Sequence, residues 1–191
     1  MTLRHAFKEW AVVCRALAAG RQALVLRKGG IAEDQGAFAV EHRRFWLYPT
    51  YLHQQKDELR EEALPLLERA EAERPPAGVV RLSHFAEVEG IYNVHDIVGA
   101  LKLDGLHLWS RETVMKRFLY REPGLYVLAV RVLGVPQAFE LPETAEYAGC
   151  RSWVDLGSDL STDGATPVLT DRAFHDVQLE LERRLRPIAV V

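Results

Sequence analysis

The chain has 191 residues, 48% of them hydrophobic, and a formal net charge of −3. That length suits one domain, or one domain with an appendage, with ample apolar material for a packed core. The charge excludes a global basic field of the kind that marks many nucleic-acid binders, yet it is unevenly spread. Residues 1–56 hold nine Lys/Arg against Glu9, Glu33, Asp34 and Glu41, or +5, whereas residues 57–191 hold fifteen against twenty-three acids, or −8. A locally basic surface on a mildly acidic protein follows from that split. Cys14 and Cys150 are the two cysteines, with no CxxC pair and no zinc spacing, which fits a reducing cytoplasm. The N-terminus has no signal-peptide apolar region and no apolar run reaches the roughly 18 residues that span a bilayer. A cytoplasmic protein without membrane contact is expected.

In chain order, Ala6, Trp10, Val13, Cys14 and Leu17 recur at helical spacing and Gly20 supplies a stop, which predicts a helix over about 4–18. Gln22 to Leu26 is short and β-compatible, with Gly29-Gly30 ending it. Residues 38–48 read as a strand in which Glu41, Arg43, Phe45 and Leu47 share one face and His42, Arg44, Trp46 and Tyr48 the other. Neither face is purely apolar, so one edge or face is expected to meet solvent or a ligand, and Pro49 to end the ladder. Asp57 to Glu73 carries a helical stripe with a kink expected at Pro65. Pro75-Pro76-Ala77-Gly78 is the best internal break, near 74–78, too short to separate two domains.

Val79 to Val88 alternates as a strand. Ser110 reads as an N-cap, with Glu112 in the first turn, for a helix near 111–120 with Val114, Met115, Phe118 and Leu119 on one face. Leu125 to Leu133 is rich in Val, Leu and Tyr and predicts a central strand. Ser158 to Thr166 is polar and loop-like. Thr170 or Asp171 opens a last helix whose buried face is Ala173, Phe174, Val177, Leu181 and Leu185. There is no internal repeat. The expectation is one α+β domain spanning 1–191, built on a mixed, mainly antiparallel sheet or a small β-barrel, with flanking helices.

The stretch Glu41 to Gln54 concentrates the chemistry: four aromatics, two histidines, two arginines and one carboxylate in fourteen residues. Arg27-Lys28-Gly29-Gly30 adds two cations beside backbone amides that can approach a phosphate closely, although no Walker or dinucleotide-binding spacing surrounds it. The bland reading is a strand end and a turn. Trp46, Tyr48 and Tyr51 suit stacking on bases while Arg43 and Arg44 hold phosphates; the alternative is that these are core aromatics. Glu41, His42 and His53 are the acid/base candidates, at a spacing that matches no common metal site, so no metal or cofactor is expected. No [DE]-x-K triplet occurs, which argues against a PD-(D/E)xK nuclease. His84, His95, Asp96 and His107 are too irregularly spaced to nominate a cluster. Cys150, next to Arg151, has no assignable base and reads as a structural thiol near Trp153.

Lys8-Glu9-Trp10-Ala11-Val12-Val13, Leu26-Arg27-Lys28-Gly29-Gly30-Ile31, Phe45 to Gln54 and Tyr147-Ala148-Gly149-Cys150-Arg151-Ser152-Trp153 resemble the bacterial DUF1802 family, over most of the chain. The family name means unknown function; the association of some members with a restriction-endonuclease-like domain implies a role beside DNA restriction or repair. The order of elements is similar to PUA-like domains such as ASCH, small β-barrels that bind RNA or modified bases. Of the Gly-x-Lys and Glu-x-Arg pattern of ASCH domains, Gly20 and Arg27 match, whereas Gln22 replaces the Lys and Val25 the Glu.

The leading reading is a nucleic-acid-binding accessory protein working on DNA or RNA, with a nuclease as partner. Arg27, Lys28, Arg43 and Arg44 take phosphates, Trp46 and Tyr48 stack on a base, and His53 meets a base edge. Two alternatives remain open. One is a hydrolase acting on nucleic acid or nucleotides through Glu41, His42 and His53; the other is a protein-interaction module with the aromatic strip as its interface.

Overall fold

The computed structural model describes residues 1–28, 42–147 and 152–185. Twelve regular elements follow one another among them: β1 (Thr2–Trp10), α1 (Ala11–Ala18), β2 (Leu24–Arg27), β3 (Arg44–Thr50), α2 (Leu64–Ala72), β4 (Val79–Val94), α3 (Ile97–Leu101), α4 (Arg111–Leu119), β5 (Leu125–Pro142), β6 (Trp153–Ser161), β7 (Thr166–Pro167) and α5 (Asp171–Leu185). The strands form one open sheet in the order β2-β5-β4-β3-β1-β6, with β7 paired to β5. Every pairing is antiparallel except β1 with β3. This is the mixed, mainly antiparallel α+β arrangement expected from the sequence, as an open sheet. Strands from both sides of the Pro75–Gly78 break enter it.

The first ten residues are not helical. Thr2–Trp10 is a strand between β3 and β6, and the helix starts only at Ala11. The helical spacing of Ala6 and Trp10 with Val13, Cys14 and Leu17 is real, but ladder hydrogen bonds on both edges override it. Phe7 and Ala6 then fall on opposite faces and enter two different cores.

Strand β3 shows the same division. Phe45 and Leu47 join the core beneath the helices, whereas Trp46 and Tyr48 join a second core with Val80, Leu82, Phe85 and Leu156. From Phe45 to Tyr48 both faces are covered, so the opening of an edge or face to solvent or a ligand is confined to the carboxyl end of the strand, where Pro49 and Thr50 are partly exposed. Pro49 does not end the strand, which runs on to Thr50. Pairing with β4 stops at Trp46, so beyond it β3 is bonded only to β1 and a missing N–H is tolerated. The second core exists because β4 and β5 are long, 16 and 18 residues, and bend at register shifts between Leu82 and His84. Their distal halves bring Leu133, Val135, Phe139 and Leu141 against it.

The helices follow their signals with local changes. Pro65 opens α2 at N1/N2 and does not kink it, since its missing N–H falls among the unpaired donors of the first turn. Ser110 caps α4, its hydroxyl accepting from Thr113 N at 3.2 Å. Val114 and Phe118 are buried on α4, but Met115 and Leu119 are exposed. Thr170 Oγ1 accepts from Ala173 N at 3.2 Å ahead of α5, whose Phe174 and Leu181 are buried. The polar segment 158–166 is not all loop: β6 runs through Ser161.

Trp46 is wholly enclosed, with its Nε1–H donated to Leu3 O at 3.1 Å. Trp46→Ala should cost about 3–5 kcal/mol, read as a lowered urea midpoint at unchanged slope. Leu52→Ala, at a side chain 73% exposed, should stay within about 0.5 kcal/mol. A loss below 1 kcal/mol at Trp46 would show that its ring is not a core group.

Candidate functional site

Strands β1 and β3 run parallel in the register Lys8↔Tyr48, Glu9↔Pro49, Trp10↔Thr50. Alternation puts Lys8, Tyr48 and Thr50 on one side at the carboxyl ends of the pair, and Trp10, whose ring packs edge-on against Trp109 in the first core at 4.8 Å between centroids, borders the same space. There they line a cavity of about 630 Å³, within the range of roughly 300–1,000 Å³ typical of ligand pockets. The segment after β3 contributes Tyr51 and His53, the turn before β4 contributes Arg74, and Glu143, Tyr147 and Ser152 close the far wall.

The walls are held by hydrogen bonds. Tyr48 Oη donates to Glu143 Oε1 at 3.1 Å, and burial followed by the Glu143 charge pushes the phenol pKa up, so it stays neutral. Lys8 Nζ donates to Tyr147 O, lies over the Tyr48 ring at 5.6 Å, and has its backbone N bonded to Ser152 O at 2.8 Å. Tyr51 carries the Arg74 guanidinium over its ring at 4.8 Å. Gln54 fixes the loop by accepting from Val12 N at 2.9 Å and donating to Glu71 Oε1 at 2.7 Å. His53 stands exposed at φ 67°, a left-handed conformation uncommon for a residue other than glycine.

Behind this wall Glu9 points the other way, into the protein. Its carboxylate accepts from Trp10 N at 2.8 Å and faces Arg27 Nη1 at 3.7 Å. Arg27 also donates to Ser152 Oγ and lies over Phe7 at 4.6 Å. Burial pulls its pKa below the ordinary arginine value, and Glu9 pushes it back up. Arg117 adds a second half-buried cation, 3.6 Å over Trp109 and within 4.0 Å of Glu58.

Of the residues expected to bind nucleic acid, Tyr48 and His53 line the cavity, and Arg27 reaches its wall through Ser152. Trp46 offers no face to a base because it is enclosed. Lys28 is a structural tie: its ammonium donates to Phe118 O at 2.9 Å, Gly124 O at 3.0 Å and Glu122 O, which uses its three donors. Arg43 and Arg44 sit at the opposite end of β3, about 20 Å from Thr50 at strand spacing. Arg43 is exposed, and Arg44 is spent on Glu87 at 2.7 Å and on the Phe85 ring. Glu41 lies outside the described residues, as does Cys150. His42 stacks on His5 at 3.6 Å between ring centroids and does not line the cavity where His53 stands. The described residues hold no group of three His, Cys, Asp or Glu placed for a metal.

Tyr51, named with the stacking candidates, also lines the cavity, whereas Lys8, Trp10, Arg74, Glu143 and Ser152 were not among the candidates. Lys8, Trp10 and Ser152 lie inside the strings that carry the family resemblance, which was the available signal; Arg74 and Glu143 lie in neither a motif nor a string. The family model described as "Domain of unknown function (DUF1802)" matches residues 6–180. The chain belongs to the DUF1802 family. No curated protein matches it. Among solved structures this DUF1802 member is similar to a crystal structure of ASCH from Zymomonas mobilis, at 12% identity over 92% of this chain and 93% of that one, with a TM-score of 0.41. Crystal structures of two point mutants of that ASCH protein give TM-scores of 0.42 and 0.39, also at 12% identity, covering 92% of this chain and 94% and 96% of theirs.

Glu9→Ala would leave Arg27 buried without its counter-charge, at an expected cost of about 3 kcal/mol. Replacing both, with Glu9→Leu and Arg27→Met, should be less destabilising than Glu9→Ala alone. Urea denaturation of the two variants beside the unaltered protein decides this; a double variant worse than the single would contradict the pairing.

Proposed function

We propose that the cavity receives one unpaired nucleotide of a nucleic-acid strand. The observation that carries this reading is the joining of Tyr51 and the partly buried Trp10 with Lys8 and Arg74 in one cavity, with the buried Tyr48 beneath them. Aromatic walls suit the flat face of any base, and the two cations suit its phosphate. Arg74 is the more available of the pair, since among the described residues no carboxylate forms an ion pair with it and its described contact is the Tyr51 ring. His53 stands at the cavity rim, where its ring nitrogens can meet a base edge. Glu143, engaged with Tyr48, fixes the tyrosine rather than repelling phosphate.

The accessory role implied by the family resemblance, beside a nuclease acting on DNA and in the cytoplasm, belongs to the same proposal. Among the described residues, no helix is long and apolar enough to cross a membrane. A hydrolase reading gains nothing from the geometry, since His42 and His53 do not share the cavity. The aromatic strip is a poor protein interface, because Phe45, Trp46 and Tyr48 are buried.

The test is fluorescence anisotropy with labelled single- and double-stranded DNA and RNA across a salt series. Arg74→Glu should weaken single-strand binding tenfold or more and reduce the salt slope by about one. Tyr51→Ala should cost about 1–3 kcal/mol. Charge reversal at Arg43 should change affinity less than reversal at Arg74. Unchanged affinity in both Arg74→Glu and Tyr51→Ala would remove the cavity from nucleic-acid binding.

A further inference from the structure

A second cavity, of about 340 Å³, opens on the helical side of the molecule. It is built by segments far apart in sequence. Gly20, at φ 65°, turns the chain out of α1 so that Arg21 stands at the cavity. Arg69 comes from α2, and Arg60 and Glu62 from the stretch that leads into it. His107 comes from the connection between α3 and α4. That connection is pinned in three places: Arg60 N donates to Leu108 O at 2.9 Å, Ser110 N to Glu58 O at 2.9 Å, and Leu108 N to the buried Gln22 Oε1 at 3.2 Å.

His107 is unusual among the histidines. It is 4% exposed, yet neither ring nitrogen has a hydrogen-bond partner among the described residues. An imidazole kept from water with both nitrogens unpaired is costly and rare in native proteins. Burial first of all, against a smaller opposing pull from Asp104, lowers its pKa to about 4. The ring is therefore neutral near pH 7 and offers one N–H donor and one lone pair. That combination fits a hydroxyl group, which accepts and donates at the same oxygen.

The charges around it point to an anion. Three arginines line the cavity against one carboxylate, Glu62. Arg60 is partly spent on Glu62 at 3.5 Å and Asp104 at 3.2 Å. Arg21 and Arg69 are exposed, and among the described residues neither is held in an ion pair. A planar guanidinium fork matches the oxygens of a phosphate.

We propose that this cavity is a second binding site, for a phosphate ester that carries a neighbouring hydroxyl: Arg21 and Arg69 clamp the phosphate at the mouth, and His107 hydrogen-bonds the hydroxyl inside. A free sugar phosphate and the ribose-phosphate backbone of RNA share this chemistry. The site stands apart from the aromatic cavity and does not rest on its assignment.

The test is nitrogen-15 NMR of the histidine side chains in the full chain, with ribose 5-phosphate, inorganic phosphate, and matched RNA and DNA oligonucleotides as probes, alongside calorimetry. Ribose 5-phosphate or the RNA strand should shift the His107 ring resonances saturably, and which of them does so identifies the source. DNA and inorganic phosphate should bind at least fivefold more weakly. Arg21→Ala with Arg69→Ala, at exposed positions, should fold normally and weaken ribose 5-phosphate binding tenfold or more. His107→Phe should abolish the preference for the hydroxyl-bearing probe. Resonances of His107 indifferent to all four probes would overturn the proposal, as would full affinity in the double arginine variant or equal affinity for inorganic phosphate and ribose 5-phosphate.

Discussion

The structure depends on a strand that is covered on both faces. Strand β3 lies between β1 and β4, and its alternation sends Phe45 and Leu47 into one core and Trp46 and Tyr48 into the other. A slip of one residue in its register would exchange these side chains between two cores of different shape. With Trp46 and Phe45 both at 0% exposure, neither core has slack for the exchange. The parallel register of β1 on β3 is fixed with it, and that register places Lys8 beside Tyr48 and Trp10 beside Thr50. The aromatic cavity is thus a consequence of how the two cores are divided.

The same register gives the cavity its polar backing. Because Lys8 faces the cavity, Glu9 next to it faces inward, where it meets Arg27 and lies beneath the wall that Ser152 completes. A buried ion pair adds little net stability compared with apolar packing, but it tolerates few alternative arrangements. Here it joins β1, β2 and the start of β6 at one point. Lys28 does comparable work by binding three carbonyl oxygens at and beyond the end of α4. The basic pair Arg27-Lys28 thus ties together elements around the cavity.

Much of this was legible in the sequence where a local signal and its tertiary setting agree. Ser110 and Thr170 cap helices as their hydroxyls suggest, and the Val/Leu-rich run from Leu125 lies within β5, paired on both sides by β2 and β4. The first strand was misread because Ala6, Trp10, Val13 and Cys14 carry a helical period that only pairing with β3 and β6 overrides. Trp46 was misassigned for a different reason: alternation says that it faces away from Phe45, but not that both faces are covered. Tyr48, Tyr51 and His53, which line the cavity, were legible as candidates because they sit in the aromatic stretch. Arg74 and Glu143 were not, since they reach the cavity only through the placement of the turn before β4 and the end of β5. His107 was invisible as a site candidate, because irregular spacing says nothing about a ring buried without partners.

An unpaired base held in the aromatic cavity, as proposed, would lie within reach of Trp10 and Tyr51. Photo-crosslinking tests it most directly: a single-stranded oligonucleotide with one 5-iodouracil is irradiated in complex with the protein, and the modified peptide is located by mass spectrometry. Attachment is expected at Trp10 or within Tyr48–His53. Attachment confined to an aromatic outside the cavity, such as the exposed Tyr120 at the end of α4, would contradict it.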